Sequence, residues 1–148
     1  MTNRHQLNRV MRQLFCILCL TLLPASHVSA ADGNGVEVTV LAKSGSSWDG
    51  RVLPQYTNGK PEITILRITI PPGAVLPLHK HPVINAGVLL SGELTVVAED
   101  GSTLQLKAGE ALVEVVNTWH YGKNAGNKPA EIMVFYAGAM DMPITVNK

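Results

Sequence analysis

Residues 73–92 carry the sequence GAVLPLHKHPVINAGVLLSG, in which two histidines are separated by a single lysine. In an extended strand successive side chains alternate between faces, so His79 and His81 project from one face and can share an ion. Asn85 is four residues after His81, an even separation that corresponds to the same face of a regular strand. If the strand continues regularly past Pro82, Asn85 joins that face as a carboxamide-oxygen donor.

A second segment, Trp119-His120-Tyr121, supplies a further imidazole from another part of the chain. Three imidazoles and an oxygen donor form a suitable site for a first-row transition metal. The sequence therefore predicts one divalent ion (Zn, Cu, Fe, Mn or Ni) bound by His79, His81 and His120, with Asn85 as the fourth ligand or as a hydrogen-bond partner of a metal-bound water.

Residues 1–30 have the pattern of an export signal. Three arginines and no acidic residue precede the apolar run 14–23, and small residues close the segment at 28–30. The apolar run is too short to span a bilayer comfortably. We therefore expect cleavage after Ala30, no retained membrane anchor, and a mature protein in the periplasm or outside the cell.

Removal of the signal changes the composition of the chain. Both cysteines, Cys16 and Cys19, leave with it, so the mature chain forms no disulfide and offers no thiolate. Nine basic residues then face eleven acidic ones, a net charge of about −2. This balance provides no basic surface for nucleic acid.

The remaining residues, 31–148, predict one all-β domain. Residues 31–61 are expected to form a strand and loops that pack on a barrel made by residues 62–148. The Asp100-Gly101 pair predicts a hairpin turn, because that turn requires positive φ. Short strands with regular turns favour a sandwich or closed barrel; the segments predicted as strands are 36–40, 63–70, 83–90, 93–98, 103–106, 111–116, 119–123 and 132–136.

The spacing of these residues resembles the two motifs of the cupin superfamily. The first is Gly73, five residues, His79-x-His81, three residues, Asn85, six residues and Gly92, with Asn85 in place of the usual glutamate. The second is Gly109, ten residues, His120, three residues and Asn124, with Val115 and Asn117 in place of the usual proline and glycine.

The resemblance implies a small antiparallel β-barrel of the jelly-roll type whose interior holds a metal, with His79, His81 and His120 as ligands. A neutral amide at position 85 would leave the ion a stronger Lewis acid but bind it less tightly than a carboxylate. Asn117 is a mild departure, since asparagine tolerates the left-handed conformation of a turn glycine. The alternative is a barrel of this family that has lost its metal.

Glu114 is the only catalytic candidate apart from the ligands. It could be an inward general base, but a solvent-facing or salt-bridged position is expected, since carboxylates are rarely buried unpaired. The aromatic residues of the strands could line a substrate pocket or belong to the core or an interface; they are Trp119, Tyr121, Phe135 and Tyr136. Trp48 and Tyr56, in the loop-rich segment before the barrel, either cap the barrel mouth or pack on a partner.

Two main classes of function follow. The first is a metal-dependent enzyme of the oxygenase, isomerase or lyase type that acts on a small organic molecule. The second is a non-catalytic metal or small-ligand binding protein or sensor of the cell envelope, and a third reading is a structural dimerisation module. A homodimer is expected from the outward apolar side chains of Ile63 and Ile65.

Overall fold

The computed structural model describes residues 29–31 and 35–148, and these residues form strands and loops without a helix. The predicted signal peptide lies almost entirely outside the described residues. The strands are β1 (Ser29–Ala31), β2 (Glu37–Thr39), β3 (Pro61–Ile70), β4 (His79–Lys80), β5 (Ile84–Ser91), β6 (Glu93–Ala98), β7 (Thr103–Lys107), β8 (Ala111–Val113), β9 (His120–Lys123), β10 (Ala130–Ala139) and β11 (Val146–Asn147). In the ranges described, no helix is long and apolar enough to cross a membrane.

The strands form two antiparallel sheets and a small hairpin. The first sheet has the order β3-β10-β5-β8, the second has the order β11-β4-β9-β6-β7, and β1 pairs with β2. Strand neighbours are often distant in the chain, as where β3 pairs with β10 along ten residue pairs. The all-β antiparallel architecture predicted from the sequence is confirmed.

The core lies between the two sheets. On β3, β5 and β10 the buried residues alternate with more exposed ones, as expected when one face of a sheet is packed. Ile70, Leu89 and Ile132 of the first sheet pack in one cluster with Leu94 and Val96 of the second. Each side chain of this size stabilises the fold by about 1.5–3 kcal/mol when fully buried.

Two turns require residues that tolerate positive φ. Gly101, with a φ of 85°, closes the β6–β7 hairpin as the Asp-Gly pair predicts. Asn117 has a φ of 53° in the loop between β8 and β9. Asparagine therefore does adopt the left-handed conformation at the position where the motif usually has glycine.

A loop of the N-terminal segment is fixed against the barrel by polar contacts. The backbone N–H of Trp48 donates to the carbonyl of Val113 (2.9 Å), and the Arg51 guanidinium contacts Thr118 (2.6 Å) and Asp100 (3.0 Å). Trp48 also packs against the hydrophobic core. The loop thus lies beside the segment that joins β8 to His120.

Candidate metal centre

The three predicted histidines meet inside the second sheet. His79 on β4 pairs directly with His120 on β9, and His81 follows β4 in a bridge to Val116. The ring centroids of the three imidazoles are 4.5 to 5.0 Å apart. His79 lies opposite His120, and His81 is two residues after His79, so all three side chains lie on one side of the sheet.

Each imidazole has one ring nitrogen committed to a backbone carbonyl. Nδ1 of His79 contacts the carbonyl of Pro77 (2.7 Å), Nδ1 of His81 that of Ile144 (2.8 Å), and Nδ1 of His120 that of Thr118 (2.8 Å). A carbonyl oxygen only accepts, so Nδ1 carries the proton in every ring. Nε2 is therefore the nitrogen left with a lone pair, which is the arrangement that metal-binding histidines use.

The ligand atoms of this cluster all lie within 4.8 Å of one another, so a small inward movement of the side chains brings them around one ion. Burial lowers the pKa of His81 to about 4, because a charged imidazolium is poorly solvated there. Burial also lowers the pKa of His79. Neutral imidazoles are the form that binds a metal, so the donor chemistry fits a first-row transition ion.

Asn85 reaches the same interior by a route that the sequence did not indicate. The regular strand assumed past Pro82 is not observed, because β4 ends at Lys80 and Asn85 lies on β5 in the other sheet. Its side chain is only 2% exposed and lines a cavity together with His81 and His120. Its Nδ2 finds no hydrogen-bond partner among the residues that the structure describes, so this amide can donate to an oxygen atom of a molecule in the cavity.

Glu114 is buried at 7% exposure, so the solvent-facing half of the expectation is wrong, whereas its contact with His120 corresponds to the salt-bridged half. Its Oε1 accepts hydrogen bonds from Trp48 Nε1 (2.8 Å) and from the backbone N–H of Val115 (2.9 Å). Its Oε2 lies 3.8 Å from Nε2 of His120. Leu112, two residues earlier on β8, is also buried and lines the same cavity, so Glu114 continues the inward face of this strand.

The cavity beside the histidines has a volume of about 60 Å³ and is lined mainly by aliphatic side chains from both sheets. Asn85, Glu114 and Tyr136 are its other polar residues besides His81 and His120. Burial raises the pKa of Tyr136 to about 12, and the nearby Glu114 carboxylate adds to this effect, so the phenol is neutral. A water molecule occupies about 30 Å³ of liquid, so the space suits an ion and a ligand of few atoms.

Several aromatic residues that could have lined a pocket have other roles. Phe135 is 43% exposed on the outer face of β10. Trp119 lies between the ammonium groups of Lys80 (4.9 Å) and Lys148 (5.4 Å). Among the strand aromatics that the sequence singled out, Tyr136 is the one that lines the cavity.

The sequence analysis did not identify the residues that support the site. The hydroxyl of Thr145 lies 3.2 Å from Nδ1 of His81, next to the Ile144 carbonyl, and strand β11 pairs with the His79 strand. Trp48 was expected either to cap the barrel or to bind a partner, and its hydrogen bond to Glu114 corresponds to the first of these. No motif spacing signals such contacts, because they join segments more than sixty residues apart.

The fold and the site define a double-layered antiparallel barrel with three convergent imidazoles in its interior. Residues 66–136 match the family model described as the cupin domain. The resemblance to the cupin superfamily that the motif spacing indicated is confirmed over this segment.

Comparisons with known proteins agree with this assignment. An 82-residue segment is 32% identical to germin-like protein 8-14 of Oryza sativa subsp. japonica, and it spans 51% of this chain and 38% of the rice protein. This chain therefore matches well under half of that relative's length.

Solved structures show the same fold at lower identity. A conserved protein with a double-stranded β-helix domain from Klebsiella pneumoniae subsp. pneumoniae has a TM-score of 0.51 at 20% identity, covering 63% of this chain and 88% of that one. The DMSP lyase DddQ from Ruegeria pomeroyi has a TM-score of 0.52 at 20% identity, covering 58% and 43%. These similarities establish the fold.

Proposed function

We propose that this chain binds one divalent transition metal ion through His79, His81 and His120 and acts as a metal-dependent enzyme on a small organic molecule. One observation carries the proposal: all three Nδ1 atoms are held by carbonyls, and the three rings then share a site with their Nε2 lone pairs unused. The three nitrogens already converge on one position, so little rearrangement is needed to bind an ion.

The residues around the histidines suit a small, oxygen-bearing ligand. A divalent ion in such a site supplies Lewis-acid polarisation of an oxygen atom on the bound molecule. The Asn85 amide donates a hydrogen bond to such an oxygen, since its Nδ2 is buried without another partner among the described residues. The aliphatic lining excludes bulk water and strengthens these polar contacts.

A second candidate function is a non-catalytic metal or small-ligand binding protein. The size of the cavity, about 60 Å³, favours it, because little room remains for a substrate once an ion is held. The Trp48 loop next to Glu114 also restricts the space around the site. If the chain is a metal-binding protein without catalysis, we expect the ion to stay bound through repeated buffer exchange in the absence of any substrate.

Elemental analysis of protein purified from its own compartment without chelators or a metal-binding tag tests the proposal. The parent is expected to carry close to one metal ion per chain, and a variant with His79, His81 and His120 all changed to alanine none. The variant Lys80→Ala is a matched control on the same strand and should retain the ion. A parent that carries no metal and takes up none of the candidate ions on titration would overturn the proposal.

We further propose a homodimer formed by the outer face of the first sheet. Ile63 and Ile65 are 63% and 56% exposed, and Phe135 pairs directly with Ile65 on the neighbouring strand. Ile65→Glu is expected to reduce the mass in light scattering from two chains to one, whereas Thr103→Glu, on an exposed edge strand of the other sheet, should not. A monomeric parent at micromolar concentration would contradict this.

Export of the chain is proposed from its first thirty residues. Cleavage after Ala30 would remove two of the three residues of β1 and leave the barrel strands intact. Mass spectrometry of the protein from the periplasmic or extracellular fraction is expected to find Ala31 as the first residue. A full-length chain in the cytosolic fraction would refute export.

A further inference from the structure

Asn85 and Glu114 are neighbours at the cavity wall. The backbone N–H of Glu114 donates to the carbonyl of Asn85 (3.0 Å), at the end of the register that pairs β5 with β8. Both side chains are buried and line the cavity. A carboxylate therefore lies next to the position where the motif has lost one.

We propose that Glu114, through Oε2, is the carboxylate ligand of the metal in this chain and replaces the glutamate that the motif lacks at position 85. This inference rests on the proposed metal site. It assigns to Asn85 the different role of hydrogen-bond donor to a metal-bound molecule.

The two oxygens of Glu114 are in different situations. Oε1 is held by two donors, the indole N–H of Trp48 and the backbone N–H of Val115. Oε2 has neither of these contacts and lies beside His120. The carboxylate is thus fixed in orientation by one oxygen and presents the other to His120, as supporting contacts do for metal ligands.

The approach of Glu114 to His120 leaves a position where a cation fits. Nδ1 of His120 contacts the Thr118 carbonyl, so Nε2 is the ring nitrogen that faces Glu114. Nε2 lies 3.8 Å from the carboxylate oxygen Oε2, and both residues are buried. A metal ion between this nitrogen and this oxygen is attracted strongly by the carboxylate, because little water is present to screen the charges.

The distance is compatible with one shared ion. Metal–nitrogen and metal–oxygen bonds of this class are about 2.0–2.2 Å long, so two ligands of one ion are at most about 4.4 Å apart. The separation of 3.8 Å between Nε2 and Oε2 falls within that limit. A carboxylate here also neutralises part of the ion's charge, which three imidazoles and an amide do not.

Metal titration of purified, metal-stripped protein tests this assignment. Zn²⁺ affinity is measured by competition with a chromophoric chelator, and the ligand set is read from the visible absorption of the Co²⁺ form. Glu114→Gln keeps the size and the acceptor for Trp48 but removes the charge, and it is expected to weaken Zn²⁺ binding at least tenfold and to change the Co²⁺ spectrum. Adding Asn85→Glu to this variant should restore most of the affinity.

The outcomes separate the two proposals. A parent that binds neither ion overturns the proposed metal site itself. A parent that binds, together with a Glu114→Gln variant of equal affinity and identical Co²⁺ spectrum, overturns the role of Glu114 alone. If Glu114→Gln does not fold, Glu114→Asp is used in its place, which keeps the charge but shortens the side chain by one methylene. If Glu114 is a ligand, this variant binds Zn²⁺ more weakly than the parent. If Glu114 acts only through its charge, the variant binds Zn²⁺ as tightly as the parent.

Discussion

His79 and His120 are directly opposite each other in the antiparallel pair of β4 and β9, with ring centroids 4.5 Å apart. The strand β4 that carries His79 is only two residues long and is paired on its other side with β11. The position of one proposed ligand therefore depends on a strand near the C-terminus.

Removal of residues 146–148 is expected to weaken Zn²⁺ binding about three- to tenfold. The deletion eliminates the pairing of Asn147 with His79 and the hydrogen bond from the Lys148 N–H to the Leu78 carbonyl. The geometry around His79 then becomes less well defined. Competition titration measures the change, and Lys148→Ala, which keeps the backbone pairing, serves as the control; equal loss in both variants would contradict the role of the strand.

The stability of the metal-free protein is expected to fall as the pH decreases from 7 to 5. The pKa of His81 is about 4 in the folded protein against 6.5 in an unfolded chain, so in this window the unfolded state binds a proton that the folded state does not. The full effect is on the order of 2–3 kcal/mol at pH 4. Thermal unfolding across the range measures it, and His81→Gln should show a flatter dependence; parallel curves would refute the assignment.

Asn117→Ala is expected to destabilise the protein by about 1 kcal/mol, whereas Asn117→Gly should lie within about 0.5 kcal/mol of the parent. The reason is the φ of 53° at this position, which alanine adopts with strain and glycine without it. Chemical denaturation of the three proteins provides the comparison. Equal stability of the alanine and glycine variants would show that the backbone conformation has no such cost.

Asn124→Ala is expected to cost about 2–4 kcal/mol of stability without changing the metal ligands. The Asn124 side chain is 1% exposed, donates to the carbonyls of Ile70 and Lys128, and accepts from the N–H of Gly126. Its removal leaves buried backbone groups without partners. Denaturant unfolding measures the loss, with the exposed Asn127→Ala as control; a loss below 1 kcal/mol would show that water replaces the amide.

Much of the barrel could be predicted because alternation of apolar residues is a local property. The strand 93–98 was predicted with the observed bounds, and residues 63–70 lie within the observed β3. The ends of the strands were predicted less accurately. Residues 111–116 were predicted as one strand, but β8 ends at Val113, because the chain leaves the sheet there. Side-chain pattern does not reveal where a neighbouring strand ends.

The histidine cluster could be predicted because His79, His81 and His120 occur at the spacing of the two motifs. The residues that surround the cluster could not be predicted in this way. A period of two assigns residues to the two faces of a strand without saying which face is inside, so the pattern did not decide whether Glu114 faces solvent or lies in the interior. The same rule assumed a continuous strand from His81 to Asn85, whereas the chain changes sheets between them. Contacts such as that of Ile144 with His81 depend on tertiary structure alone.

The carbonyl of Ile144 that holds the imidazole of His81 follows all three histidines in the sequence. During translation the histidines therefore leave the ribosome before the residue that fixes one of their rings. A metal ion that meets the growing chain at that stage encounters an incomplete set of supports. The order of synthesis thus predicts that an ion at the proposed site is bound tightly only after Ile144 has been added and has folded against His81.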